Sequence, residues 1–198
     1  MIEIGGRTCY KSEDKMCEGS DVVLIERLMN FKHESVLEHG SISVRFVTDR
    51  GVTHELVRHR MASFSQESTR YCNYGKGKFG NEIAVIKPHF FDNGTREYWL
   101  WCQSMQQAEQ SYLQLLECGA SAQEARSVLP NSLKTEIIVT ANPREWRHII
   151  ALRTHRDAHP QIRQIICPLA QVFADKWSVL FSGLGDYNHP HPAENLTK

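Results

Sequence analysis

Apolar positions along this chain fall into blocks whose period changes at recognisable stop signals. From Glu18 to Phe31, Val22, Ile25, Leu28 and Met29 share one stripe, which predicts an amphipathic helix. Ile42, Val44 and Phe46 alternate with Ser43, Arg45 and Val47, the period of a half-buried strand. Gly51 marks the end of that strand, and Val52 to Arg60 returns to a helical pattern. Asn73 to Asn81 carries Gly75, Gly77 and Gly80 with two lysines, predicting a mobile loop. Ile83-Ala84-Val85-Ile86 reads as a short strand stopped by Pro88.

The second half is more helical. Thr95 to Cys118 predicts a long helix marked by Trp99, Cys102, Met105, Tyr112, Leu113 and Leu116, with Gly119 just past its end. Ser121 to Val128 predicts a shorter helix that stops before Pro130. The β-branched run Ile137-Ile138-Val139 places a strand over Thr135 to Thr140. Asn142 as cap and Pro143 as first helical residue open a helix through about Arg153. Pro160 starts a last long helix running to about Phe181, and an extended tail follows from Gly183. No repeat or linker interrupts this order, so residues 1–198 are expected to form one α+β domain.

Composition narrows the class of function. With 23% charged and 41% hydrophobic residues, the chain reads as an ordinary globular protein with a real core. Its net charge is zero, which argues against general nucleic-acid binding. No apolar run is long enough to span a bilayer and no secretory pattern opens the chain, so a cytoplasmic location is expected. The six cysteines are scattered without a C-x-x-C pair, which favours free thiols.

Against that neutral background, Arg58 to Arg70 concentrates three arginines, one histidine and four hydroxyl residues. Planar guanidinium forks and hydroxyls match phosphate and carboxylate oxygens, so the segment is expected to face an anion. On a helix, Arg58, His59 and Arg60 would span about 200°, too wide for one small ligand. Either one of them is structural, or the cluster serves two ligands or two subunits. No glycine-rich dinucleotide or P-loop turn is present, so a nucleotide or flavin must be held by side chains. His54 and His59 lie five apart, about 140° around a helix, which is wrong for the paired histidines of a zinc-protease helix. His155 and His159 have better spacing but adjoin Pro160, and His189 and His191 sit in the tail. No fixed metal is expected.

Arg58-His59-Arg60, seven residues, then Ser68 resembles the signature of the flavin-dependent thymidylate synthases. Gly6-Arg7-Thr8-Cys9-Tyr10 and His33-Glu34-Ser35-Val36-Leu37-Glu38-His39 resemble that family's amino-terminal segments. Ala125-Arg126-Ser127-Val128-Leu129-Pro130, Asn142-Pro143-Arg144 and Leu152-Arg153 follow in the family's order, so the likeness runs from Gly6 to Arg163. It implies a central, mostly antiparallel sheet with long helices, assembled as a homotetramer with shared active sites. It also implies FAD as cofactor, dUMP as substrate, and NADPH and methylenetetrahydrofolate as co-substrates. In the implied chemistry NADPH reduces the bound flavin, and the flavin takes the one-carbon unit from methylenetetrahydrofolate and passes it to C5 of dUMP. A second reduction step gives dTMP, without an enzyme nucleophile.

The resemblance implies roles residue by residue. His39, Arg58, His59, Arg60, Gln66, Asn142, Arg144 and His148 correspond to flavin contacts. Glu55, Arg58, Gln66, Glu67, Ser68, Thr69, Arg70, Arg126 and Arg153 correspond to the nucleotide side, with Ser68, Thr69 and Arg70 on its phosphate. Arg153 is the implied catalytic residue: a permanent cation beside the uracil ring favours its N3-deprotonated form. Two positions depart from the family. Glu55 replaces a common Gln and is expected to pair with Arg58 or His59, and Ala158-His159-Pro160-Gln161-Ile162-Arg163 replaces the usual Ala-Gln-x-Glu-Ile-Arg. Rival readings are a flavin-dependent methylase of a related pyrimidine nucleotide such as UMP, and a non-catalytic nucleotide- or RNA-binding module using Arg70, Tyr71, Lys76 and Lys78.

Overall fold

The computed structural model describes residues 1–184, so most of the expected tail, with His189 and His191, lies outside the described residues. Eight α-helices and a three-stranded sheet place those residues in the α+β class. The strands are β1 (Ile42–Asp49), β2 (Ser63–Gln66) and β3 (Lys134–Ala141), in the order β1-β3-β2. Ser43 meets Thr140 and Arg45 meets Glu136, so β1 and β3 run antiparallel. β3 is the central strand, and alternation buries its Thr135, Ile137, Val139 and Ala141.

The chain forms two compact units that interleave along the sequence. The first comprises residues up to Val44, the short segment His59–Ser63, and the chain from Thr140 onward. It contains α1 (Ile2–Tyr10), α2 (Ser20–Asn30), a 3-10 segment over Glu34–His39, α6 (Pro143–Thr154), α7 (Pro160–Lys176) and α8 (Ser178–Phe181). α6 begins where Asn142 Oδ1 accepts the Glu145 N–H at 2.9 Å and Pro143 supplies the preset first-turn φ. Trp146, Ile149 and Ile150 bury one face of α6, and Ile162, Ile166, Ala170 and Phe173 bury the facing stripe of α7. The Trp146 indole N–H donates to the Ile42 carbonyl at 3.0 Å, so this buried ring keeps its polar partner.

The helix expected from Pro160 to Phe181 is two helices. Trp177 leaves the helical region at φ −137°, ψ 58°, and the turn brings buried Phe181 edge-on to Phe173 at 4.9 Å. Aromatic burial outweighs helix continuity there.

The second unit comprises Arg45–Arg58 and Phe64–Val139. Here lie α3 (Arg50–Leu56), α4 (Arg96–Glu117) and α5 (Ala122–Ala125). Asp49 Oδ1 caps α3 by accepting the Val52 N–H at 2.8 Å, so the helix begins directly after β1 with Gly51 inside it. Thr95 caps α4, and Gly119 takes φ 92° just beyond its end. Tyr74, Ile83, Tyr112, Ala125 and Leu133 form this unit's core cluster. Tyr74 therefore anchors a segment expected to be a mobile loop. Ile83 to Ile86 makes only the isolated bridge Val85–Leu133 rather than a strand. Among the described residues, no helix is long and apolar enough to cross a membrane.

Candidate active site

The Arg-His-Arg segment is not helical. α3 ends at Leu56, and Arg58 to Arg60 lie in a turn closed by the Ala62 N–H donating to the His59 carbonyl at 3.0 Å. The 200° argument for dividing the three side chains therefore does not apply. The turn divides them differently: Arg58 and Arg60 are exposed, whereas His59 is 4% exposed.

Within the first unit, His59 is gripped from both ring nitrogens. Arg153 Nε donates to His59 Nε2 at 3.0 Å, and Glu145 Oε1 lies 3.3 Å from Nδ1. An Nε2 that accepts cannot carry a proton, so the neutral ring holds its hydrogen on Nδ1, facing Glu145. His148 packs edge-on to the same ring at 5.5 Å. Burial first, then the Arg153 cation and His148, push the His59 pKa down to about 4. The imidazole is consequently neutral across the physiological range.

Glu145 and His148 also line a cavity of about 440 Å³ with Glu34, Glu38, Met61, Asn142, Arg144, Arg147 and Leu184. Arg144 Nη1 donates to Glu38 Oε1 at 2.6 Å and its Nε lies 3.6 Å from Glu34. Asn142 caps α6 through Oδ1 and lines the same cavity. His39 is exposed on the 3-10 segment and packs on Gly5, where an added Cβ would sit 2.8 Å from His39 Cδ2. Ligand atoms of His59, Glu145 and His148 lie within 4.8 Å of one another, a spacing a metal accepts. The Arg153 cation on Nε2 and the proton on Nδ1 oppose a second cation there.

The second unit organises the other half of the motif. Gln66 Nε2 donates to Thr53 Oγ1 at 2.9 Å and to Thr135 Oγ1 at 3.3 Å. The Glu67 N–H donates to the Glu136 carbonyl at 2.9 Å, and Arg50 Nη1 reaches the Glu67 carbonyl at 3.4 Å. The Glu67 carboxylate accepts from the buried Tyr74 hydroxyl at 2.7 Å and faces Lys134 at 3.7 Å. Burial and the Glu67 contact raise the Tyr74 pKa, so the phenol remains a donor. Lys134 and Arg45 hold the Glu136 carboxyl down at about 2. These groups border a cavity of about 420 Å³ that also includes Ser65, Gln66, Cys72 and Phe79. Ser68 Oγ accepts the Arg70 N–H at 3.3 Å, Thr69 is buried, and Arg70 lies exposed over Tyr71.

The sequence-derived residues thus sort by unit. His39, His59, Arg60, Asn142, Arg144, His148 and Arg153 belong to the first, and Glu55, Arg58, Gln66, Glu67, Ser68, Thr69, Arg70 and Arg126 to the second. Glu55 is half-buried on α3, Arg126 is exposed where α5 passes into a 3-10 turn, and Glu145 is a carboxylate flanking His59. Sequence reasoning missed Glu145, Tyr74 and Lys134. For Glu145 a signal existed: Asn142-x-x-Glu145 is a capping-box pattern, which marks the carboxylate as ordered without naming its partner.

Residues 1–177 match the family model described as thymidylate synthase complementing protein. A flavin-dependent thymidylate synthase of Geobacter sulfurreducens is 30% identical, covering 99% of this chain and 87% of its own length. Those of Mycolicibacterium gilvum and Mycobacterium avium are 32% and 31% identical, covering 88% and 92% of this chain and 78% of each relative. With that match spanning both units and every motif described above, the chain belongs to the thymidylate synthase complementing protein family.

Proposed function

We propose that this chain is a flavin-dependent thymidylate synthase. The reaction converts dUMP, methylenetetrahydrofolate, NADPH and a proton to dTMP, tetrahydrofolate and NADP⁺, replacing C5–H of the pyrimidine by C5–CH₃. Relatives of that name over nearly the whole chain support the reading. The observation that carries it is the junction between the 440 Å³ cavity and the guanidinium network: Glu145 and His148 line the cavity and also flank the His59–Arg153 pair.

The residues around that cavity fit a flavin. Its wall carries the Asn142 amide, the His148 imidazole and the Arg144 and Arg147 guanidiniums, with Glu34, Glu38 and Glu145 as carboxylates and Met61 and Leu184 as apolar surface. Arg144 is paired with Glu38 and Glu34, and Arg147 donates to the Leu180 carbonyl. The donors and the apolar surface of that wall suit a polar aromatic ring system edged by carbonyls, whereas its carboxylates leave the anionic phosphates to the exposed arginines outside it. Asn142, Arg144 and His148 would hold FAD, with the exposed Arg58 and Arg60 and His39 as further contacts. When bound, FAD supplies the redox and one-carbon transfer chemistry.

The chain's own work is binding, orientation and charge. Arg153 stabilises the N3-deprotonated pyrimidine, because a guanidinium keeps its charge while the ring N–H titrates. Ser68, Thr69 and Arg70 bind the phosphate, with Arg126 as a second cation, and the half-buried bonds of Gln66 and Glu67 tie down the residues just before them. His59 is assigned to positioning, since both of its nitrogens are occupied within the chain. A homotetrameric assembly belongs to the same reading and rests on the resemblance, and the cytoplasmic location is the expectation drawn from the sequence pattern. Titration of the purified protein with FAD tests it: binding, with a perturbed visible flavin spectrum, is expected. A protein that binds no flavin in either redox state contradicts the proposal.

A further inference from the structure

Glu145 stands at the third position of α6, where a glutamate after an asparagine cap ordinarily folds back onto the cap's own N–H. Here the backbone half of that motif is made, while the carboxylate lies against His59 Nδ1 instead. His59 arrives from a different stretch of chain and is buried between Glu145 and Arg153. A carboxylate behind one imidazole nitrogen fixes the tautomer and makes the other nitrogen a better acceptor. That acceptor takes the Nε–H of Arg153, and anchoring Nε sets the plane of the whole guanidinium.

We infer that Glu145 is a positioning residue of the reaction, which through His59 holds the Arg153 guanidinium in the plane that the pyrimidine requires. The inference rests on the function proposed above for its catalytic consequence, but the carboxylate–imidazole–guanidinium relay is a property of the protein alone. The neutral state of His59 sustains it, because protonation would remove the acceptor that Arg153 uses. Glu145 acts on the orientation of a cation already present, so its loss changes turnover more than substrate affinity.

Two readouts test this on the full-length chain. Imidazole ¹⁵N NMR of histidine-labelled protein reports the tautomer without turnover. The Nδ1–H form of His59 is expected in the wild type and in Glu145→Gln, whose amide oxygen still accepts, and is lost in Glu145→Ala. In methyl transfer from methylenetetrahydrofolate to dUMP, Glu145→Ala should lower kcat by roughly 10- to 100-fold, as misplacement of a catalytic group does. FAD binding and KM for dUMP should stay near wild type, Glu145→Gln should recover most of the rate, and Glu145→Ala should add nothing to Arg153→Ala. An Nε2–H tautomer in the wild type overturns the relay, and so does full additivity with Arg153→Ala. Loss of flavin from Glu145→Ala makes Glu145 a cofactor contact and overturns the positioning role. A wild-type protein with the Nδ1–H tautomer but no activity on dUMP leaves the relay standing, and contradicts the functional reading together with the catalytic half of the inference.

Discussion

Lowering the pH from 7 to 4 charges His59 in the unfolded chain while the folded protein resists the proton. The unfolded imidazole titrates near 6.5 and the folded one near 4, so between those values the unfolded state binds more protons. Stability therefore rises with pH: the contribution is complete above 6.5 and is lost as the pH falls toward 4. Linkage puts the loss at about 2 kcal/mol between pH 7 and pH 5, and about 3 kcal/mol by pH 4. Carboxylates such as Glu136, with its pKa held at about 2, also weaken the fold in acid, but at lower pH. The comparison is with His59→Gln, which keeps hydrogen-bonding groups beside Glu145 and Arg153 but does not titrate. Urea unfolding of both proteins at fixed protein concentration across this range isolates the term. The wild-type stability curve should fall more steeply than that of His59→Gln by the stated amount. Parallel curves would mean that His59 is not buried in its neutral form and would refute the reasoning.

Three further outcomes follow from the geometry. Tyr74→Phe removes the 2.7 Å bond to Glu67 and should cost about 1–3 kcal/mol in thermal unfolding while raising KM for dUMP. Ser68→Ala and Arg70→Ala should each weaken dUMP binding by about tenfold or more in calorimetric titration, since a hydrogen bond to a charged group carries about 1.5–3 kcal/mol. Trp146→Ala empties a fully buried position and removes the indole N–H bond to the Ile42 carbonyl, with an expected loss of about 3–5 kcal/mol by denaturant titration.

How much of this was legible in the sequence depended on whether the deciding interaction was local. α4 was expected from Thr95 to Cys118 and spans Arg96–Glu117, because its cap, its stripe and Gly119 all lie within the segment. The same holds for Asn142 and Pro143 at the head of α6. Val52 to Arg60 misled because its period continues past Leu56, where α3 ends, whereas the contacts of His59 with Glu145, His148 and Arg153 come from a distant stretch of chain that no local pattern shows. β2 was missed because four residues, Ser63–Gln66, are too few to establish an alternation. The break at Trp177 has no glycine or proline to announce it and accompanies the edge-on packing of Phe181 against Phe173.

The candidate site divides along the same line. Asn142, Arg144, His148 and Arg153 were readable because the motif order places them on one helix. Glu145 and Tyr74 were not, because a glutamate in a first turn and a tyrosine in a glycine-rich loop both have ordinary local explanations. Only the fold brings Glu145 to His59 and Tyr74 to Glu67.

The central claim is methyl transfer to dUMP, and a mass-resolved product assay tests it most directly. The protein is supplied with FAD, NADPH and methylenetetrahydrofolate, and dUMP and UMP are offered together. The account predicts dTMP from dUMP, with UMP unchanged. Methylation of UMP alone, or no product from protein that holds its flavin, would contradict it.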